Sequence, residues 1–459
     1  MNAAPLITRF RIDGLRSGGS IDVHISENTL ILVGENGSGK TTFLRMLFYF
    51  TSGRWSSLAQ FVFNTVTATI DGVEYKVSHE EIVSMSSQID PSIMSRLPPV
   101  QRRRVSELLN AGRSAEAEAL AITYLERYRV SPTSLQRDLF RRKGEDTAKL
   151  IELQERVSNS LSAQILYLPT YRRIERELNS IIQGYDSEDA RRSSYVTRQP
   201  EDGNDYVELV EFGMNDVKQA INRALEEIRS FQLAGVTTLS LSYLGDVVSQ
   251  SYKSADRHDI ENASDETIEA VLNRVDETIL SPHAKNRLRD IIVSAKSTAN
   301  VPSEHEQIIY HYFTKLVRFQ KDLQAKERGI SAFCALCSAY IVDKTFTYLT
   351  REFSLQIKSK KTGEDVPLSE LSSGEKQIVS LFSHLYLSGR EKFFVLIDEP
   401  ELSLSVPWQR RFLTDIRAAS FCAGLVAVTH SPFIYDNELR RHAHALGEYV
   451  TGPDWGNIA

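Results

Sequence analysis

The run Gly34-Glu35-Asn36-Gly37-Ser38-Gly39-Lys40-Thr41 places glycines, a lysine and a hydroxyl at the GxxxxGK[ST] spacing, the chemistry of a loop that wraps a polyphosphate. Such a loop must turn consecutive backbone N–H groups inward, and a Cβ at Gly37 or Gly39 would obstruct that approach. Gly34, Asn36, Gly37, Ser38, Gly39 and Thr42 are therefore expected to line the phosphates of ATP. Lys40 should reach the β- and γ-phosphates, and the Thr41 hydroxyl should ligate a Mg²⁺ that bridges the same oxygens. A helix beginning near Lys40 adds its positive end.

A second reactive pair, Asp398-Glu399, follows Phe393–Ile397, a run apolar enough to be a strand buried on both faces. The C-terminal end of such a strand is where α/β sheets place ligands. Asp398 is expected to hold the metal through its water shell, and Glu399 to orient and deprotonate the attacking water, which is otherwise a poor nucleophile. On its own an Asp-Glu pair more often opens a helix; beside the phosphate loop, the catalytic reading is the better one.

These groups need a scaffold, and the pattern supplies one. Ile7–Ile12, Ser20–Ile25 and Thr29–Val33 read as strands, the last running directly into the phosphate loop, and Thr42–Phe50 reads as a helix. Val66–Ile70 and Val73–Val77 flank Asp71-Gly72, a hairpin signal. Ser78 to Ala163 is helical in pattern, Gln164–Leu168 is a strand, and Glu175 to about Asp343 is again helical, with breaks expected near Gly184, Gly203, Gly235, Pro282 and Pro302. Sheet returns at Phe346–Lys358 and Val366–Leu368, followed by a helix from Glu375 and two apolar strands, Phe393–Ile397 and Leu425–Val428. One α/β core split by helical insertions accounts for this order, and the sequence shows neither an internal repeat nor a sustained heptad.

Composition narrows the class. The 459 residues are 41% hydrophobic and 25% charged, ordinary for a globular chain. The net charge of -6 advertises no global basic field for nucleic acid, although Arg102–Arg104 and Arg141–Lys143 are local basic clusters. No apolar run approaches the roughly 20 residues of a membrane span, which argues against a channel or permease. Met1–Arg16 has no basic segment followed by an apolar stretch, so a cytoplasmic protein is expected. Cys334, Cys337 and Cys422 cannot make a disulfide framework, and the isolated CxxC reads as buried small residues.

Leu371-Ser372-Ser373-Gly374-Glu375-Lys376-Gln377 stands shortly before Asp398, and Val428-Thr429-His430-Ser431-Pro432 follows the last apolar strand. With these motifs in this order the chain resembles the ABC-type ATPases, in their SMC-like and OLD-like (AAA_15/AAA_21) branches. The resemblance implies an α/β fold, an ABC-type P-loop ATPase head with a large helical insertion. It also implies that His430 is the switch histidine at the γ-phosphate. Ser372, Ser373, Gly374 and Glu375 would then form the signature, a second anion site that faces the phosphate loop of a second subunit. A homodimer or higher oligomer with composite ATP sites follows. Read without the family, Ser372–Glu375 is equally a simple helix N-cap and His430 a structural histidine. The likeness covers the first 80 residues, the strand near 164–172 and everything after about 346.

The Leu-Ser-Ser-Gly-Glu form resembles chromosome-maintenance, recombination and phage-defence ATPases rather than transporters. The place of the family's Q-loop is taken by Leu168–Arg173, with no glutamine, where Arg172 or Arg173 either touches phosphate or a partner or solvates the next helix. Ser403-Leu404-Ser405 resembles the loop that crosses to the opposite subunit. The expected division is an ATPase head from 1–80 and 346–459, a helical insertion at 81–163, a returning strand and Q-loop-like segment at 164–174, and a helical lobe at 175–345.

Ser372 follows Lys40 by 332 positions, more than a transporter's nucleotide-binding subunit needs. Pro and Gly interruptions argue for a compact helical lobe rather than a long arm. The chain looks most similar to the stand-alone ATPase subunits of bacterial anti-phage systems, such as the AriA ATPase of PARIS or the PtuA ATPase of Septu. Those hold and regulate a separate nuclease or toxin effector, and nothing after Glu399 resembles a Toprim or HNH nuclease. An effector encoded nearby and a phage-derived trigger are the partners this implies, with direct DNA contact left open and no membrane. The alternative is a DNA-repair or chromosome-associated ATPase whose heads clamp DNA.

Overall fold

The computed structural model describes residues 6–15, 18–85, 97, 99–110, 117, 120–121, 145–169, 206–208, 214–254, 264–274, 281–297, 303–390, 392–402 and 404–452. Arg141–Lys143, Arg172, Arg173 and Ser403, and the breaks expected near Gly184, Gly203 and Pro302, lie outside them. In chain order the strands are β1 (Ile7–Asp13), β2 (Ser20–His24), β3 (Thr29–Val33), β4 (Thr65–Ile70), β5 (Val73–Ser78), β6 (Gln164–Leu168), β7 (Tyr206–Glu208), β8 (Lys344–Leu349), β9 (Ser354–Ser359), β10 (Phe393–Asp398), β11 (Cys422–Thr429), β12 (Ala443–Ala445) and β13 (Val450–Thr451). The helices that matter below are α1 (Lys40–Thr51), α2 (Met214–Val248), α3 (Asp265–Arg274), α4 (Glu304–Tyr340), α5 (Ser373–Leu387), α6 (Val406–Ala418) and the short α7 (Pro432–Tyr435). The chain divides into two compact units, Met1–Phe212 with Arg390–Ala459, and Gly213–Gly389.

In the first unit a parallel sheet of order β12-β3-β11-β10-β6-β7 stands with an antiparallel sheet of order β13-β2-β1-β4-β5. Helix α1 fills the space between them. Phe43 and Phe50 meet Phe10 of β1 edge-on, while Phe48 stacks on Tyr167 of β6 with centroids 4.6 Å apart. Every residue of β10 and β6 is buried, as expected where a parallel sheet is covered on both faces. The registers Asp398↔Val428 and Thr429↔Val33 bring the C-terminal ends of β10, β11 and β3 level. Asp398 at the end of β10 and the loops that carry His430 and the glycine-rich run therefore stand at the same edge of the sheet.

The second unit is built on two long helices. Helix α2 has 35 residues and α4 has 37, about 50 Å each at 1.5 Å per residue. The break expected at Gly235 does not occur. A Cβ there would lie 2.1 Å from a ring carbon of Phe319, so this glycine admits α4 to close packing while the helix runs on. Arg274 of α3, Glu327 of α4 and the Tyr348 hydroxyl of β8 form a buried network, with the guanidinium 2.6 Å and the phenol 2.9 Å from the carboxylate. The stretch Phe346–Lys358 resolves into the antiparallel hairpin β8–β9. Val366–Leu368 is not a strand: Val366 N–H donates to the Ile357 carbonyl, but Pro367 has no N–H with which to continue a ladder. Tyr340 meets Phe382, centroids 5.3 Å apart, and so ties α4 to α5.

Candidate nucleotide site

The glycine-rich run is shaped by left-handed backbone. Gly37 and Gly39 have φ of 79° and 85°, and Gly34 has φ of 154°. Gly39 precedes α1 as its N-cap and supplies no side-chain cap, so the first N–H groups of the helix face the hollow of the loop. Lys40 is 3% exposed, and its Nζ donates to the carbonyls of Gly34 (3.0 Å) and Glu35 (2.6 Å) and to Ser38 Oγ (3.0 Å). Burial lowers the pKa of the ammonium, against the pull of Glu399, Asp398 and Glu401, so four charged groups share one small site. A Cβ on Gly34 would stand 3.2 Å from Ser38 Oγ, filling the cradle in which the ammonium sits. These donors and this curvature fit a polyphosphate.

At the end of β10, separated from β3 by β11, Asp398, 1% exposed, accepts a 3.0 Å bond from the Thr41 hydroxyl. A buried carboxylate beside a hydroxyl offers the hard oxygen donors that Mg²⁺ takes. Glu399 has φ of 49°, strained for a residue with a Cβ, and its N–H donates to the Val428 carbonyl at 2.9 Å. Burial is the main cause that raises the Glu399 pKa, followed by the like charges of Asp398 and Glu401, with Lys40 opposing. His430 Nε2 lies 3.9 Å from a Glu399 carboxylate oxygen, near it but beyond hydrogen-bond distance.

Two residues the sequence reading passed over hold this corner together. Glu401 accepts from the backbone N–H groups of His430 (2.8 Å) and Ser431 (3.2 Å) and from the Thr429 hydroxyl (2.8 Å). Gln409, on the first turns of α6, donates to the Leu404 and Glu401 carbonyls and accepts from Ser431 Oγ at 2.7 Å. The available signal was a third carboxylate two places after Glu399; its partners, about 30 positions away, left no local trace.

The Ser372–Glu375 run, expected to be the signature, lies in the second unit. Ser372 is the N-cap of α5, accepting from Glu375 N–H while the Glu375 carboxylate accepts from Ser372 N–H at 2.7 Å. The other Glu375 oxygen is 2.9 Å from Lys344 Nζ. Burial works to raise the Glu375 pKa, but the bonds from Lys344 and Ser372 together hold it below the usual carboxylate value. Ser372 and Ser373 are exposed at this helix end. The reciprocal cap is thus formed, and because Lys344 neutralises Glu375, the end of the helix can still receive an anion. Cys334 and Cys337 are buried on α4; burial pushes the Cys334 thiol up to about 12 and Cys337 well above its ordinary value, which leaves both inert.

An α/β head with a phosphate loop, two acids at a strand end and a histidine after the next strand defines a P-loop nucleotide hydrolase of the ABC type, here with a large helical insertion. The AAA ATPase domain family (AAA_15) matches residues 6–435. The chain belongs to that family and is a nucleotide-binding ATPase. No curated protein matches the chain. Among solved structures it is similar to the Smc head domain with an extended coiled coil bound to the C-terminal domain of ScpA, from Pyrococcus furiosus. The identity is 13%, with 94% of this chain and 91% of that one covered and a TM-score of 0.31. No helix among the described residues is long and apolar enough to cross a membrane.

Proposed function

We propose that the chain is the ATP-hydrolysing scaffold subunit of an anti-phage defence complex, which assembles by ATP-sandwich dimerisation and holds or regulates a separate effector, a nuclease or toxin. The observation that supports the assembly is the exposed Ser372–Ser373 end of α5 together with one phosphate loop per chain, on this reading the two halves that enclose a triphosphate. Leu402, Val406 and Phe433, 44%, 42% and 37% exposed, flank the loops after β10 and β11 and offer apolar surface to a second copy.

On this reading Lys40 exchanges its loop acceptors for phosphate oxygens, and the N–H groups from Gly34 to Thr42 complete the cradle. Thr41 and Asp398 would hold Mg²⁺, which when bound neutralises phosphate charge. Glu399 takes the proton of the attacking water, its raised pKa bringing its basicity nearer to working pH. His430 faces the γ-phosphate, and Ser372, Ser373 and Gly374 of the second copy close over it, with Glu375 holding that helix end in shape. Closure and opening then move the helical unit that restrains the effector until a phage-derived trigger arrives.

The defence role rests on the Leu-Ser-Ser-Gly-Glu signature and the size of the insertion. Duplex clamping draws less support from the basic cluster Arg102–Arg104, where Arg102 donates to the Leu97 carbonyl and Arg103 pairs with Glu107. A mixing experiment tests the composite site. Lys40→Ala and Gly374→Asp chains should each be inactive, yet the two mixed should regain turnover, because one site of the mixed dimer is intact. A mixture as inactive as its components would overturn the sandwich.

A further inference from the structure

The turn after β11 is gripped from outside its own strand. Successive N–H groups of His430 and Ser431 point at one oxygen of Glu401, at 2.8 and 3.2 Å, and the buried Thr429 hydroxyl bonds the other at 2.8 Å. Paired N–H groups converging on a carboxylate make a small anion nest, here filled by the protein's own side chain. Gln409 closes the grip from the other side, its carbonyl oxygen taking the Ser431 hydroxyl while its amide holds Leu404 O at 2.9 Å and Glu401 O at 3.4 Å.

What this grip fixes is the main chain from which the His430 imidazole projects. His430 Nε2 stands 3.9 Å from the Glu399 carboxylate with no hydrogen bond between them, so that pair does not hold the ring in place. Glu399 itself sits on strained backbone, anchored through its N–H to Val428 of the same strand β11. Backbone support on both sides therefore sets the geometry of the two side chains.

We propose that Glu401 and Gln409 are positioning residues for ATP hydrolysis, holding the His430–Ser431 backbone so that the imidazole and the Glu399 carboxylate face the same point. The inference rests on the reading of Glu399 and His430 as the hydrolytic pair. Neither Glu401 nor Gln409 is asked to touch nucleotide, so their loss should slow turnover without weakening binding. Displacing a reacting group by about 1 Å can cost about a hundredfold in rate.

Steady-state turnover and calorimetric ATP affinity of Glu401→Ala, Glu401→Gln, His430→Ala and the Glu401→Ala/His430→Ala double variant test this. Glu401→Ala should lose about 10- to 100-fold in kcat, with KM and affinity within about twofold of the parent. Glu401→Gln should recover most of that loss, since its amide oxygen can still accept both backbone N–H groups, and the double variant should be no slower than His430→Ala alone. Undiminished turnover in Glu401→Ala beside an impaired His430→Ala, or losses that multiply in the double variant, would overturn the positioning role while leaving the hydrolytic pair standing. Full turnover in His430→Ala would remove both. If Glu401→Ala does not fold, Gln409→Ala carries the same comparison.

Discussion

The Thr41 hydroxyl lies 3.0 Å from Asp398 Oδ1, joining the start of α1 to the end of β10 across 357 positions of chain. The bond holds two hard oxygens side by side at the mouth of the phosphate loop. Asp398→Asn keeps an acceptor for Thr41 but removes the charge a divalent cation needs. The variant should melt within a few degrees of the parent and bind ATP with an affinity that no longer responds to Mg²⁺ or its chelation, as read by calorimetry.

Lys40 is the cation at the centre of the glycine-rich loop and the proposed phosphate ligand. Lys40→Ala removes a charge-assisted contact of about 1.5–3 kcal/mol and leaves the Gly34 and Glu35 carbonyls without their donor. ATP affinity should fall by about 10- to 150-fold. Retention of tight binding would place the nucleotide elsewhere.

On the proposed mechanism Glu399→Gln removes the base and leaves the cradle intact. It should bind ATP as the parent does, hydrolyse it at least about a hundredfold more slowly, and accumulate a dimer visible by light scattering only when ATP is present. Undiminished turnover would mean that another group takes the proton.

Ser372 separates capping from anion binding. Ser372→Ala should cost about 1 kcal/mol of stability in urea through loss of the cap. Ser372→Asp keeps a good cap but puts a negative charge where the proposed sandwich would bind phosphate. It should retain parental stability and lose ATP-dependent dimerisation; a fully active Ser372→Asp would make this helix end purely structural.

His384, on the buried side of α5, titrates at about 4, held down by burial. Between about pH 6.5 and 4 the unfolded chain binds a proton there that the folded chain does not, so stability falls as the solution is acidified through that window. The slope is at most about 1.4 kcal/mol per pH unit for this one group. Urea midpoints measured across the window should be flatter in His384→Asn than in the parent.

Much of the site was legible without coordinates. A phosphate loop is made by local backbone conformation, so the glycines at 34, 37 and 39 and the helix that follows could be read from spacing alone. Strands β3, β6, β10 and β11 announced themselves because a parallel sheet covered on both faces needs unbroken apolar runs. Gly235 misled for a local reason: a glycine reads as a breaker until the Phe319 ring across from it is known.

The sequence by itself determined the chemistry, because residue type and near spacing fix which groups can bind phosphate, hold a cation or take a proton. Tertiary structure decided the partners: Thr41 with Asp398, Glu401 with the His430 backbone, Lys344 with Glu375. Those pairings depend on strand register and on how a loop returns to the sheet, and neither leaves a periodic trace along the chain.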